Sequence, residues 1–174
     1  MIGDKPILPF LLLMNKSDKY MAPSSSHPAK QSLTAKSLAD WLQDQARDKS
    51  DWKIGTEHEK FIFHRSTFRP AAYEGEEGIG ALLSALKSRY GMSPIMEHDH
   101  LIGLIDETGG SITLEPGGQL ELSGAPLKTL HQTCRETGTH LKQMISVISE
   151  LNLCMLGVGF QPLWGRDDCH WMPK

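Results

Sequence analysis

Apolar residues recur at three- to four-residue spacing in three stretches of the chain and alternate with polar ones in the stretches between. In "LTAKSLADWLQDQARDK", residues 33–49, Leu38, Trp41, Leu42 and Ala46 share one helical face, and Thr34 is placed to cap the first turn. "DWKIGTEHEKFIFH", residues 51–64, changes to a rough alternation rich in β-branched and aromatic side chains and predicts a strand. After the connector "RPAAYEGEEG", the segment "GIGALLSALKSRYG" predicts a second helix. Ile79, Leu82, Leu83, Leu86 and Tyr90 form its stripe, and Gly91 ends it.

Residues 93–124 hold several short strands with a hairpin signal at "ETGG", and His98 and His100 of "EHDH" are expected on one strand face. "APLKTLHQTCRETGTHLKQMISVISELN" is helical, with Leu127, Leu130, Cys134, Leu141, Ile145 and Ile148 on or near the buried side and Gly138 as its weak point. A last strand, "LCMLGVGF", runs into "QPLWGRDDCHWMPK", which carries no helix signal. Helices and strands in this order, with neighbouring strands joined by short turns, predict an α+β fold with a mostly antiparallel sheet and flanking helices.

Composition narrows the class of protein. A chain of 174 residues with 39% hydrophobic and 22% charged content is globular and long enough for one sizeable core. A net charge of −3 excludes the basic footprint expected of a nucleic-acid or anionic-membrane binder. The run "ILPFLLLM", residues 7–14, is too short to span a bilayer. Residues 1–31 read as a disordered or mis-assigned leader, with Met14 and Met21 as alternative starts, and the folded part as residues 32–174. Cys134, Cys154 and Cys169 are an odd count without metal-ligand spacing, which suits free thiols in a reducing compartment, taken as the cytoplasm.

The chemistry concentrates in acidic residues within strands, where such residues are depleted. Alternation puts Glu57 and Glu59 on one face and His58 on the other. In "SITLEPGGQLELSG", Glu115 and Glu121 share a face if the segment is one bulged strand or a hairpin with a three-residue loop. A two-residue Gly117-Gly118 loop would separate them by setting Glu115 opposite Leu120. Were both segments in one sheet, four carboxylates would share a surface and repel unless cations sat among them. An all-oxygen set suits Mg2+ or Mn2+, and Mg2+ commonly holds substrate phosphates as well. The other reading is four ordinary solvated residues on a one-sided sheet. No P-loop, dinucleotide fingerprint, nucleophile elbow or zinc pattern occurs.

"IGTEHEKF", "SITLEPGGQLELSGAPLKTLHQTC", "GVGFQP" and "MPK" together resemble the glutamate–cysteine ligase family in its plant and proteobacterial branch, from about Trp52 to Lys174. The resemblance implies a glutamine synthetase-like fold. It also implies ATP-dependent joining of L-glutamate, through γ-glutamyl phosphate, to L-cysteine, the first step of glutathione synthesis. By motif, Glu57, Glu59, Glu115 and Glu121 correspond to Mg2+ ligands, with Gln119 a polar or substrate contact at the same site. Cys134 matches a cysteine that forms a redox-regulated disulfide in plant members, and in this chain it is expected to be a buried thiol. The family pattern continues past "MPK", so the chain is expected to be an N-terminal portion with part of the metal site and little or no ligase activity alone. Two alternatives stand beside this: another carboxylate–amine ligase of the same fold, and a non-catalytic metal-binding α+β module.

Overall fold

The computed structural model describes residues 33–173; the expectations for residues 1–31, leader and apolar run included, lie outside them. Helix α1 (Ala35–Asp44) belongs to a compact unit that ends at Ala46. Thr34 caps it in a reciprocal box: its hydroxyl accepts from Ser37 N at 3.0 Å, and Thr34 N donates to Ser37 Oγ at 2.9 Å. Leu38, Trp41 and Leu42 on its predicted apolar face are exposed.

The second unit, from Arg47, holds the sheet. Its elements are β1 (Glu57–His64), α2 (Ile79–Tyr90), β2 (Ser93–Glu97), β3 (His100–Ile105), β4 (Ser111–Glu115), β5 (Gln119–Ser123), α3 (Leu130–Ile148) and β6 (Leu153–Leu156). They form one six-stranded sheet in the order β2-β3-β4-β5-β1-β6, every neighbouring pair antiparallel. The architecture is α+β. The predicted first strand starts later than its pattern, because Lys49–Asp51 form a 3-10 turn and Ile54 makes only a single bridge to Leu127.

Alternation divides the sheet into two unlike faces. Ile62, Leu104, Ile112, Leu114, Leu120, Leu122 and Leu153 point to one side and are buried. Ile79, Leu82, Leu83 and Leu86 of α2 and Met144, Val147 and Ile148 of α3 complete that core. Each such side chain contributes about 1.5–3 kcal/mol of burial. The opposite face carries Glu57, Glu59, Gln119 and Glu121 and is open.

Three expectations are corrected. The buried stripe of α3 runs through His140, Met144, Val147 and Ile148, whereas Leu130 and Ile145 are exposed. Its first half is polar, so a reading by hydrophobicity rotated the helix. Cys134 is accordingly exposed, not buried. His98 is no strand residue: Glu97 pairs with His100, leaving His98 in the two-residue turn between them with φ +51°.

Candidate active site

The β4–β5 hairpin decides the geometry of the acidic residues. Glu115 pairs with Gln119, so the loop is the three residues Pro116–Gly118 and the two-residue alternative is excluded. Pro116 lies in this loop, where no ladder donor is needed. Gly117 at φ +75° and Gly118 at φ +83° close the loop, a conformation that glycine adopts without strain. With this register Glu115 and Glu121 share the open face.

Strand β1 pairs directly with β5, and Glu59 stands opposite Glu121. Glu57 is opposite Ser123 and Phe61 opposite Gln119. The open face therefore carries Glu57, Glu59, Glu121, Gln119 and Glu115 across three neighbouring strands. His58 points the other way. Gln119 reaches across the strands, and its amide donates to Glu59 Oε2. Glu57 and Glu59 are exposed, while Glu115, Gln119 and Glu121 are half-buried.

The arrangement is a strip, not a closed cage. Among the described residues, no three His, Cys, Asp or Glu side chains stand close enough to hold an ion by themselves. Opposed like charges at a cross-strand pair are destabilising, so Glu59 facing Glu121 fits a cation better than empty solvent. An oxygen-only set left incomplete by the protein suits Mg2+, which keeps water and phosphate oxygens in its shell.

An aromatic wall closes one end of the strip. Trp164 stands edge-on to Phe61 at 5.9 Å and to Phe63 at 6.3 Å, both on the open face. Its indole donates to the Phe68 carbonyl at 2.9 Å. Arg69 pairs with Asp168, and the side chains of Cys169 and Met172 lie against Gly117 and Gly118. The C-terminal segment, which carries no helix signal and forms only a 3-10 turn at Arg166–Asp168, thus reaches the Phe61 and Phe63 end of β1 and the β4–β5 loop.

Sequence reasoning passed over two groups. Lys60, on the helix side between Glu59 and Phe61, is 1% exposed, and its neighbour on α3, His140, is 4% exposed. Burial, then the Lys60 charge, then His58, push the His140 pKa down to about 3. Glu136 on α3 accepts a hydrogen bond from Ala125 N at 2.7 Å, tying the helix to the end of β5. The parity that placed Glu57 and Glu59 outward also placed Lys60 inward; that was the available signal.

These strands and carboxylates bring the chain to a known group. The family model described as glutamate-cysteine ligase family 2 (GCS2) matches residues 53–174, and the chain belongs to that family. It is 48% identical over 146 residues to a protein of Medicago truncatula named glutamate–cysteine ligase, chloroplastic, covering 84% of this chain and 28% of that relative. Proteins of the same name from Nicotiana tabacum and Arabidopsis thaliana are 48% and 47% identical, over 84% of this chain and 27% of each. The chain therefore spans little more than a quarter of the length of these curated relatives. Their names also overturn the expected cytoplasmic location, since they are chloroplast proteins. Free thiols report a reducing compartment and not which one, so cysteine usage carried no address.

Proposed function

We propose that this chain supplies the acidic strands of an ATP-dependent glutamate–cysteine ligase built on a glutamine synthetase-like sheet. In this reading the γ-phosphoryl group of ATP passes to the γ-carboxylate of L-glutamate. The amine of L-cysteine then attacks the acyl carbon of the γ-glutamyl phosphate. Phosphate leaves with the bonding pair, the amine loses a proton, and γ-glutamylcysteine, ADP and phosphate are the products.

Glu57, Glu59, Glu115 and Glu121 are the residues that would hold divalent cations, Mg2+ or Mn2+. Bound there, the metal supplies positive charge to offset the phosphate oxygens. The chain's own residues position and shield. Gln119 holds the Glu59 carboxylate through its amide. Phe61 and Trp164 present an apolar wall that excludes water from one end of the strip. No side-chain base or nucleophile is assigned, because positioning and electrostatics carry most of phosphoryl transfer.

The observation that carries this reading is the Glu59–Glu121 cross-strand pair on the open face. Mn2+ titration followed by electron paramagnetic resonance tests it. Glu59→Gln and Glu121→Gln should each weaken Mn2+ binding at least tenfold, about the 1.4 kcal/mol expected from loss of one charged contact. Undiminished binding in both variants rejects the assignment.

A further inference from the structure

The sheet-facing stripe of α3 changes character along the helix. Met144, Val147 and Ile148 at its end are buried and apolar. The preceding turns carry Gln132, Arg135, Glu136, Thr139, His140 and Gln143, at the spacing of one helical face. These side chains line one side of a cleft of about 470 Å3, a size that holds a small organic molecule. The floor is apolar: Leu104, Ile112 and Leu122 from β3, β4 and β5, with Leu127 from the loop before α3. Asp106, Glu107 and Thr108 of the β3–β4 turn add a further polar edge. The sheet separates this cleft from the acidic strip, because Ile112 and Leu122 point away from the open face.

Two polar groups on that stripe lack partners. Glu136 accepts from Ala125 N through Oε1, but its Oε2 is buried and has no hydrogen-bond partner among the described residues. His140, 4% exposed, has none at Nε2. Unpartnered buried polar atoms are rare in folded proteins, and each costs stability. The two residues lie one helical turn apart, within reach of a single ammonium with its three donors. Charge favours such a group. The lining sets the carboxylates of Asp106, Glu107 and Glu136 against the one guanidinium of Arg135. Asp106 is already engaged, since its Oδ1 accepts from Thr108 N and Gly110 N, which leaves Glu136 as the anchor. Lys60 is outside the lining, its ammonium turned to the His58 carbonyl, and His140, held neutral by burial, adds no positive charge.

We propose that this cleft binds a small amphipathic amine, whose primary ammonium donates to Glu136 and His140 and whose apolar body lies against Leu122 and Leu127. The terminal torsion of a glutamate is broad, so Oε2 turns readily to meet an entering donor. Contact with the leucine floor removes apolar surface from water and supplies affinity. The charge-assisted bond to Glu136 fixes orientation and selects a cation over a neutral molecule of the same shape. An anion of that shape is repelled by the acidic lining. None of these residues belongs to the acidic strip, so the proposal stands apart from the metal reading.

Amide NMR shifts of the chain, followed during titration with three probes of similar shape, test this: phenethylamine, neutral phenethyl alcohol and anionic phenylacetate. The amine should give saturable shifts centred on residues 132–143 and 106–110. It should bind about tenfold tighter than the alcohol, with phenylacetate weakest. Glu136→Gln, which keeps an acceptor for Ala125 N, should remove the preference for amine over alcohol. Thr139→Phe introduces a bulky side chain into the cleft from an exposed position and should abolish binding of all three. If Glu136→Gln does not fold, Thr139→Phe and the wild-type comparison of probes decide alone. Equal affinity for amine and alcohol, shifts confined to other regions, or undiminished binding by Thr139→Phe overturns the proposal. So does a wild-type chain that shows no saturable shift with phenethylamine up to its solubility limit.

Discussion

A Cβ at Gly118 would lie 2.8 Å from Ile79 Cδ1 and 2.9 Å from Met172 Cε, and the residue has φ +83°. Gly118→Ala should therefore destabilise the fold by about 1–3 kcal/mol through backbone strain and contact with the core, read as a lower urea midpoint. Gly117, at φ +75° but 3.9 Å from its nearest neighbour, lacks the packing penalty, and Gly117→Ala should cost less in the same measurement. At this scale much was legible. Strand parity alone placed Glu57 and Glu59 together, and Thr34 announced a helix start that its hydrogen bonds bear out. The same parity set Lys60 on the other face, but lysine in a strand defaults to solvent, so its burial went unread until the packing of α3 over the sheet showed it. Cys134 was misjudged with the helix that carries it.

Between elements, loop length governs which side chains face which way. The three-residue Pro116–Gly118 loop sets Leu114 against Leu120 and Thr113 against Glu121. Deleting Gln119 would keep the three-residue loop and set Glu115 opposite Leu120. Every side chain of β5 would then change faces relative to β4, sending Glu121 toward the core and Leu120 and Leu122 into solvent. Loss of dispersed amide NMR signals and of a cooperative unfolding transition is the expected outcome. A deletion variant that unfolds cooperatively near the wild-type midpoint contradicts this register. Sequence left the loop open between two and three residues, since Pro-Gly-Gly is compatible with both. The face of α3 was misread for a different reason. Its buried stripe begins with His140, not with an apolar residue, whereas apolar Leu130 and Ile145 lie on the solvent side. By contrast α2 is apolar along its whole buried stripe, and its predicted and observed faces agree.

For the sheet unit as a whole, pH dependence is the sharpest test of the buried polar layer. His140 has its pKa lowered from 6.5 to about 3, so the folded chain binds fewer protons than the unfolded chain between those values. The stability it contributes is present above about 6.5 and is lost as pH falls toward 3. The charged groups around it are Lys60 and His58 on β1 and Glu136 on its own helix. Urea midpoints measured from pH 7 to pH 4 should fall less steeply for His140→Leu than for wild type, and parallel curves would contradict this account. The order of elements and the antiparallel sheet were readable from the chain, because short turns leave few ways to arrange consecutive strands. The wall formed by Trp164 was not, since its partners lie far away in sequence.

That distance has a consequence of its own. Arg69 and Asp168 are 99 positions apart, and Trp164 meets Phe61 and Phe63 across a similar span. Contacts so remote form late and slowly, because the intervening chain must be confined before they yield any gain. On a growing polypeptide, β1 and the hairpin that faces it can pair well before residue 164 has been made. The carboxylates would thus be assembled before Trp164 is in place, leaving a nascent intermediate whose acidic ladder lies bare to the surrounding ions until that later segment has been made.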